Sequence, residues 1–361
     1  MSTDRRNPTV NANGLIYGAL ELSADYLPVL DPMTGETTQV PLSVLDPNTK
    51  SASGEVVKPS PYWGDTAIWN SKTNVHNPML DKEGRVWITA TVRPPENPDF
   101  SKAGSSHPSA KAFPLERSYR HLGMYDPKTK KYTPINTAFS THHLMFAEDE
   151  NNTLWTSGGG PVVGWLNTKK FLETGDEIAA QGWTPLILDF NGNGKRDAYT
   201  EPDAPSDPTK DKRIVKGLYA CSPAPDGSVW GSNLGYPGGL VRLNPGTNPT
   251  ETALAEYFEL PLNEKGEPVE GFSPRGMDVD RNGVAWVALA SGHLASFDCR
   301  KCEIRTGPTA TGQHCREGWT FYTEPLPQFK GLNIPGSAEA SYYTWVDQFN
   351  TSGLGENTPI N

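Results

Sequence analysis

The chain is poor in charge: only 20% of its 361 residues are Asp, Glu, Lys or Arg, and 32 basic against 42 acidic residues leave a net charge of −10. That sign and sparseness exclude a protein that works by neutralising nucleic-acid phosphates. Long apolar runs are missing as well. No stretch approaches 18 consecutive apolar residues, so no membrane span is expected. The start, Met1-Ser2-Thr3-Asp4-Arg5-Arg6, leads into no apolar run and does not read as a signal peptide. It suits a start placed downstream of one. Cysteine is scarce, at four residues. What the chain does have is 35 Gly and 33 Pro, about a fifth of its length, which disfavours a helical bundle because both residues break helix interiors. Ten Trp and thirteen Tyr argue against disorder. An all-β, loop-rich globular class remains.

A repeat emerges when short apolar runs are aligned on a Gly-x-hydrophobic-Trp core. The copies are HNPMLDKEGRVWITA (His76 to Ala90), HHLMFAEDENNTLWTSG (His142 to Gly158), YACSPAPDGSVWGS (Tyr219 to Ser232) and RGMDVDRNGVAWVAL (Arg275 to Leu289). A degenerate copy, NGLIYGAL, opens the chain at Asn13. The aligned aromatics are Tyr17, Trp87, Trp155, Trp230 and Trp286, spaced by 70, 68, 75 and 56 residues. Each copy reads as a strand, a polar turn with Gly for the positive φ of a tight hairpin, and a second strand carrying the Trp. A third strand follows, as in Tyr26–Gly35, His121–Thr129, Leu240–Gly246 and His293–Asp298. A fourth contains or precedes Pro, as in Thr38–Leu42 and Tyr257–Leu262, and Pro is tolerated at an edge.

Four short antiparallel strands per unit, at a period above about 50 residues, predict a β-propeller, with a β-sandwich as the alternative. Five repeats are visible, and the pattern accommodates five to seven blades. The expected domain is one propeller over residues 13–347, with loop insertions at 43–69, 94–120 and 174–216 and terminal segments 1–12 and 348–361. The first copy lacks its innermost strand. Ser341–Asp347 (SYYTWVD) reads as an innermost strand with no partner hairpin after it. Either the N- and C-terminal strands together close the ring, or the chain is a fragment.

In a propeller the innermost strands line a central channel, so equivalent positions converge at its mouth. Counting back from each Trp gives His76, His142 with its neighbour His143, Tyr219 and Arg275; counting back from the last strand's Asp gives Tyr342. None is aliphatic. Histidine suits acid–base work near neutral pH and Arg binds carboxylates in bidentate fashion. On this reading His76 and His142 are general base and acid or metal ligands, Tyr219 a proton donor and Arg275 an anion clamp. His143 and Tyr342 contact substrate. The alternative is a water-filled channel lined by structural polar groups. A His pair can also hold a second divalent metal at the channel mouth, although no acidic residue falls in the same register.

Asp189–Asp197 (DFNGNGKRD) places oxygen side chains at Asp189, Asn191, Asn193 and Asp197, with Gly194 after the third. This matches the first nine positions of a calcium loop, in a structural rather than catalytic role. The twelfth position is Thr200, where Glu201 or Asp203 can substitute; the alternative is a polar Asx-turn loop. Of the cysteines, Cys299 and Cys302 share an expected turn and Cys315 follows His314. Disulfides among them fit an even count better than a zinc site does, with the pairing open, and Cys221 also reads as a plain core residue.

The copies, above all SPRGMDVDRNGVAWVAL and SPAPDGSVWGS, resemble the blade repeats of virginiamycin B lyase-like and NHL-type propellers over roughly residues 13–347. The resemblance implies a propeller fold and magnesium-assisted elimination by a His and carboxylates at the channel mouth, with His76 and His142 in comparable roles. Thr309–Tyr322 (TATGQHCREGWTFY) resembles a stretch of exported bacterial propeller proteins that carry carboxypeptidase-regulatory-like domains. The expected protein is therefore a periplasmic or secreted lyase- or hydrolase-like enzyme acting on a small molecule or glycan. Two alternatives stand beside it. One is a non-catalytic propeller whose Tyr62, Trp63, Trp69, Trp165 and Trp183 stack on sugars. The other is a metal-dependent lactonase, which would need a Glu/Asn/Asp cluster that the aligned positions do not supply.

Overall fold

The computed structural model describes residues 3–53, 62, 69–331 and 336–361, and it is mostly sheet with few helices. The described residues form two compact units, Met1–Phe146 with Leu166–Gln181, and Ala147–Trp165 with Gly182–Asn361.

In the first unit β1 (Ile16–Tyr17), β2 (Tyr26–Leu30) and β3 (Thr37–Pro41) form a three-stranded antiparallel sheet. Strands β4 (His76–Leu80), β5 (Val86–Ala90), β6 (His121–Asp126) and β7 (Lys131–Ile135) form a four-stranded antiparallel meander in chain order, and β8 (Leu144–Phe146) follows. Leu27, Val29, Val75, Leu80, Val86 and Ile88 pack into one apolar cluster. Of the expected insertions, 43–69 lies in part outside the described residues. Residues 94–120 are gathered around the buried Arg93, whose guanidinium donates to Asn97 Oδ1 and Ser118 Oγ at 2.8 Å each and to the Thr137 carbonyl at 3.0 Å.

In the second unit the strands are β9 (Thr153–Thr156), β10 (Val162–Asn167), β11 (Gln181–Leu188), β12 (Tyr199–Thr200), β13 (Asp211–Ile214), β14 (Ser222–Pro223), β15 (Val229–Asn233), β16 (Gly239–Asn244) and β17 (Leu254–Glu259). They lie in the order β14-β15-β16-β17-β11-β10-β9, with β13 on β11 and β12 on β13. The join between β17 and β11 is a single parallel bridge, Leu188 to Ala255, while the rest of β14 to β17 is antiparallel. A second meander holds β18 (Pro274–Val279), β19 (Ala285–Leu289), β20 (His293–Phe297) and β21 (Trp319–Thr323) in chain order.

One side-chain device explains why the Trp repeats fold as hairpins. Asp81 ends β4, and its Oδ1 accepts the N–H groups of Glu83 and Arg85 at 2.9 and 3.0 Å, while its Oδ2 accepts the Trp87 indole N–H at 3.0 Å. Asp280 does the same after β18 for Asn282, Val284 and Trp286, at 2.8, 2.9 and 3.1 Å. In both turns the Gly three residues on, Gly84 and Gly283, takes a positive φ that disfavours a side chain. The third copy substitutes a relay: Trp230 donates to Ser228 Oγ at 3.1 Å, and Ser228 to Asp226.

Three expectations change. Ser341–Asp347, expected to have no partner hairpin after it, instead pairs as β22 (Trp345–Asp347) with β23 (Thr358–Ile360). The span 174–216 is not one loop, because the fully buried β11 and the short β12 and β13 run through it. The pairing left open among cysteines is Cys302–Cys315, with Cys221 and Cys299 buried as free thiols. A disulfide on Cys302 and Cys315 removes both from any zinc site.

Candidate functional site: a three-histidine cluster

The sequence positions His76 at the first residue of β4, opposite Thr89 of β5. Pairing slips by one residue between His76 and Met79, and within that slip Asn77 adopts φ +48°, a left-handed conformation that Asn tolerates better than most residues. A bulge of this kind re-aims the side chain beside it. Asn77 also reaches the start of β8, since its Oδ1 accepts the Leu144 N–H at 2.9 Å. Thr89 does similar work from across the hairpin: its hydroxyl donates to the His142 carbonyl at 2.8 Å and lies 3.3 Å from that of His76. Two local features of β4 and β5 therefore hold the His142-His143 dipeptide beside His76.

The three imidazoles converge. His76 Nε2 lies 3.2 Å from His143 Nε2, and the His76 and His142 rings stack with centroids 4.6 Å apart and planes at 7°. One nitrogen from each ring falls within 4.8 Å of the others. His143 is buried, and His76 and His142 are half-buried, so the cluster is partly exposed to solvent.

Two residues outside the repeat register complete the surroundings. Glu21 Oε1 stands 3.6 Å from His76 Nδ1 and accepts from Arg120 Nη2 at 2.6 Å. Burial, followed by the charge of His143, pushes His76 down to about 4, against an opposing pull from Glu21. Burial acts to raise the Glu21 carboxyl, but the hydrogen bond and charge of Arg120 outweigh it and hold the group below its usual range. At neutral pH the site thus combines a neutral His76 imidazole with an ionised carboxylate, the state in which imidazole nitrogens are free to ligate.

His76, His142 and His143 are therefore brought together in the first unit. The other aligned residues form a separate set in the second. Tyr219 and Tyr342 meet edge to face at 6.0 Å, and the Arg275 guanidinium lies 4.9 Å over the Tyr342 ring. Asp189, Asn191, Asn193 and Asp197 lie immediately after β11. Sequence reasoning missed Glu21, Arg120, Thr89 and Asn77. Only Thr89 carried a signal, as the lone polar residue in the buried run VWITA of β5. Of the aromatics expected to stack on sugars, Trp183 is fully buried within β11 and offers no free ring face, while Trp165 is half-buried and packs on Trp155 at 5.2 Å. Tyr62 and Trp69 are exposed, and Trp63 lies outside the described residues.

No protein-family model matches the sequence, and no curated protein does. Among solved structures, the chain is similar to PorZ, an essential surface component of the type-IX secretion system of Porphyromonas gingivalis. The TM-score is 0.41 at 13% identity, covering 86% of this chain and 32% of that one. It is also similar to a candidate 6-phosphogluconolactonase from Bacteroides uniformis (TM-score 0.38, 13% identity, 79% of this chain and 63% of that one). A counterpart from Bacteroides fragilis gives a TM-score of 0.37 at 12% identity, over 78% of this chain and 63% of that one. The chain thus spans less than two thirds of the length of each. Likenesses this distant assign no activity here.

Proposed function

We propose that the protein is a hydrolase- or lyase-like enzyme of the β-propeller class that binds a divalent transition metal on His76, His142 and His143. The observation that carries this reading is the convergence of three imidazoles in one partly exposed cluster. The donor set fits. Two nitrogens bound at 2.0–2.1 Å in a tetrahedral site stand about 3.3 Å apart, close to the 3.2 Å between His76 Nε2 and His143 Nε2. Three imidazoles suit zinc and its first-row neighbours, and three protein ligands leave a fourth position for water or substrate. A metal held there would supply Lewis-acid polarisation and a water of lowered pKa. Glu21, fixed by Arg120, stands 3.6 Å from His76 Nδ1, on the side where a ligating histidine usually has its outer carboxylate partner. Thr89 and Asn77 fix the backbone of the other two ligands. The propeller reading is supported by two meanders of the same strand order and the recurring Asp–Trp hairpin device. The Cys302–Cys315 bridge supports an oxidising compartment, periplasmic or extracellular.

The test uses the full chain stripped with chelator and titrated with zinc. One equivalent is expected to bind, and His76→Ala or His142→Ala to weaken binding by roughly 100-fold, at the upper end of what losing a ligand or its support costs. Wild-type protein that takes up no zinc, cobalt or nickel sinks the reading. With the metal loaded, lactone and depsipeptide substrates separate the two chemistries: elimination leaves a new carbon–carbon double bond absorbing in the ultraviolet, whereas hydrolysis consumes water and releases an alcohol and an acid.

A further inference from the structure

The loop Asp189–Asp197 leaves β11 and returns as β13, and the sheet register decides what meets at its neck. Leu188 pairs with Lys212, which sets Asp189 and Asp211 against each other one step further on. Both carboxylates are buried, Asp189 at 4% exposure and Asp211 at 0%. Neither forms an ion pair with a described residue. Asp189 spends its two oxygens on the loop itself, accepting the Asn193 N–H at 3.1 Å and the Gly194 N–H at 3.0 Å. Asp211 Oδ2 accepts the Asp197 N–H at 2.7 Å and the Phe190 N–H also favours the charged carboxylate, while Asp211 Oδ1 has no hydrogen-bond partner among the described residues. A fully buried carboxylate oxygen without a partner, facing the charges of Asp189 and Asp197, is costly unless a cation neutralises it. The Arg196 guanidinium feels the Asp211 charge but makes no ion pair with it: its Nη1 donates to Thr184 Oγ1 at 2.8 Å and lies 3.4 Å from the Pro249 carbonyl.

We propose that Asp211 closes the Asp189–Asp197 loop into a calcium site, supplying the carboxylate that a calcium loop normally takes from its twelfth position. The sequence candidates for that position do not fit as well. Thr200 has no carboxylate, and Glu201 is bound to Arg213, whose Nε donates to it at 2.7 Å. The oxygens of Asp189, Asn191, Asn193, Asp197 and Asp211, with the Lys195 carbonyl at the seventh position, make a set of six or more hard donors. Calcium takes six to eight such oxygens at 2.3–2.6 Å, whereas magnesium demands stricter octahedral geometry and keeps several waters. With no nitrogen or sulfur donor in the set, transition metals are disfavoured. The site is built from the second unit alone and is independent of the histidine cluster. Its effect is to rivet the long excursion 189–211 to the β11–β13 pair.

The full chain, freed of metal with chelator, is titrated with calcium chloride in a calorimeter and digested with trypsin in parallel, because Lys195 and Arg196 sit in the loop. One calcium is expected to bind, with magnesium at least tenfold weaker, and to slow cleavage after Lys195. Asp211→Asn keeps the shape and removes one of three carboxylates, so calcium affinity is expected to fall by roughly 100-fold, within the range that ligand charge count spans in calcium loops. In chelator the variant should melt no lower than the parent, since a like-charge contact is relieved. Only with calcium should the parent gain on it. A wild-type chain indifferent to millimolar calcium overturns the proposal, and so does an Asp211→Asn chain that binds calcium as the parent does. If that variant fails to fold, Asp197→Asn, at an exposed carboxylate, replaces it with the same expected direction, and unchanged affinity there overturns the proposal equally.

Discussion

The meander β4–β7 and the meander β18–β21 are nearly the same object. Each opens with a strand whose pairing slips by one residue after its first position, between His76 and Met79 in one and between Pro274 and Met277 in the other. Each closes that strand with an Asp that gathers two turn N–H groups and an indole. Each starts its third strand with a fully buried histidine, His121 or His293. What differs is the residue beside the slip. In the first sheet it is His76, facing Thr89, whose hydroxyl holds the neighbouring backbone. In the second it is Arg275, at the position equivalent to His76 in the repeat, and Ala288 stands where Thr89 stands. The shared residues make the sheet, and the divergent ones make the chemistry. The scaffold carries the same device twice, but only one copy has the side chains to assemble a donor cluster.

The largest expected effect is on the shared device. Asp81→Ala strands a fully buried indole N–H and two turn N–H groups, and is expected to cost about 4 kcal/mol. Asp280→Ala removes the matching bonds, but Trp286 is only half-buried, so water can replace one of them and about 2–3 kcal/mol is expected. Urea unfolding of both variants reads the difference. Equal losses would mean that burial of the indole does not set the value of the device.

A smaller effect separates the sheets by pH. Burial, followed by the charge of Arg93, pushes His121 well below the usual histidine value of 6.5. In the fold its Nδ1 accepts the Val92 N–H at 3.2 Å and its Nε2 meets Ser118 Oγ at 3.1 Å. The folded chain therefore refuses a proton that the unfolded chain accepts. The stability that neutral His121 contributes is complete above pH 6.5 and is lost as pH falls below it, by about 1.4 kcal/mol per pH unit for one such proton. His121→Asn keeps an acceptor for Val92 and is expected to flatten the dependence between pH 6.5 and 5 by up to that slope. An unaltered pH profile in denaturant melts would remove His121 as its source.

Much of this was legible in the sequence where the causes are local. Asp81 and Trp87, or Asp280 and Trp286, lie six residues apart, so one short motif encodes turn, hydrogen bonds and hairpin together. Counting back from each Trp placed His76 and the His142-His143 pair at equivalent positions, and in the first unit these do converge. Glu21 and Arg120 were invisible because they come from connections outside the repeat, 99 positions apart. Strand β11 was hidden by Pro185 and by the absence of a turn–Trp signal, although its run Trp183–Leu188 is wholly buried. Asp211 was missed for a related reason. It joins the loop through sheet register, fourteen residues from Asp197, and no spacing rule for a contiguous loop reaches that far.

The smallest effect tests the other side of the comparison. Arg275 occupies the His76 position of its sheet, yet its guanidinium lies over Tyr342, a ring that is 61% exposed. A cation–π contact at so open a site is worth about 0.5–1 kcal/mol. The backbone there does not depend on it, because the Ser232 hydroxyl holds the Arg275 carbonyl and the Gly276 N–H donates to the Tyr342 carbonyl at 3.1 Å. Arg275→Ala is therefore expected to lower stability by less than about 1 kcal/mol and to leave zinc uptake by the histidine cluster unchanged. His76→Ala should do the reverse, weakening uptake by the roughly 100-fold expected above at little cost in stability for a half-buried side chain. A calorimetric titration and a urea melt on each variant give four numbers, and crossed results, with Arg275 controlling uptake, would show that the two sheets do not divide the work as their side chains imply.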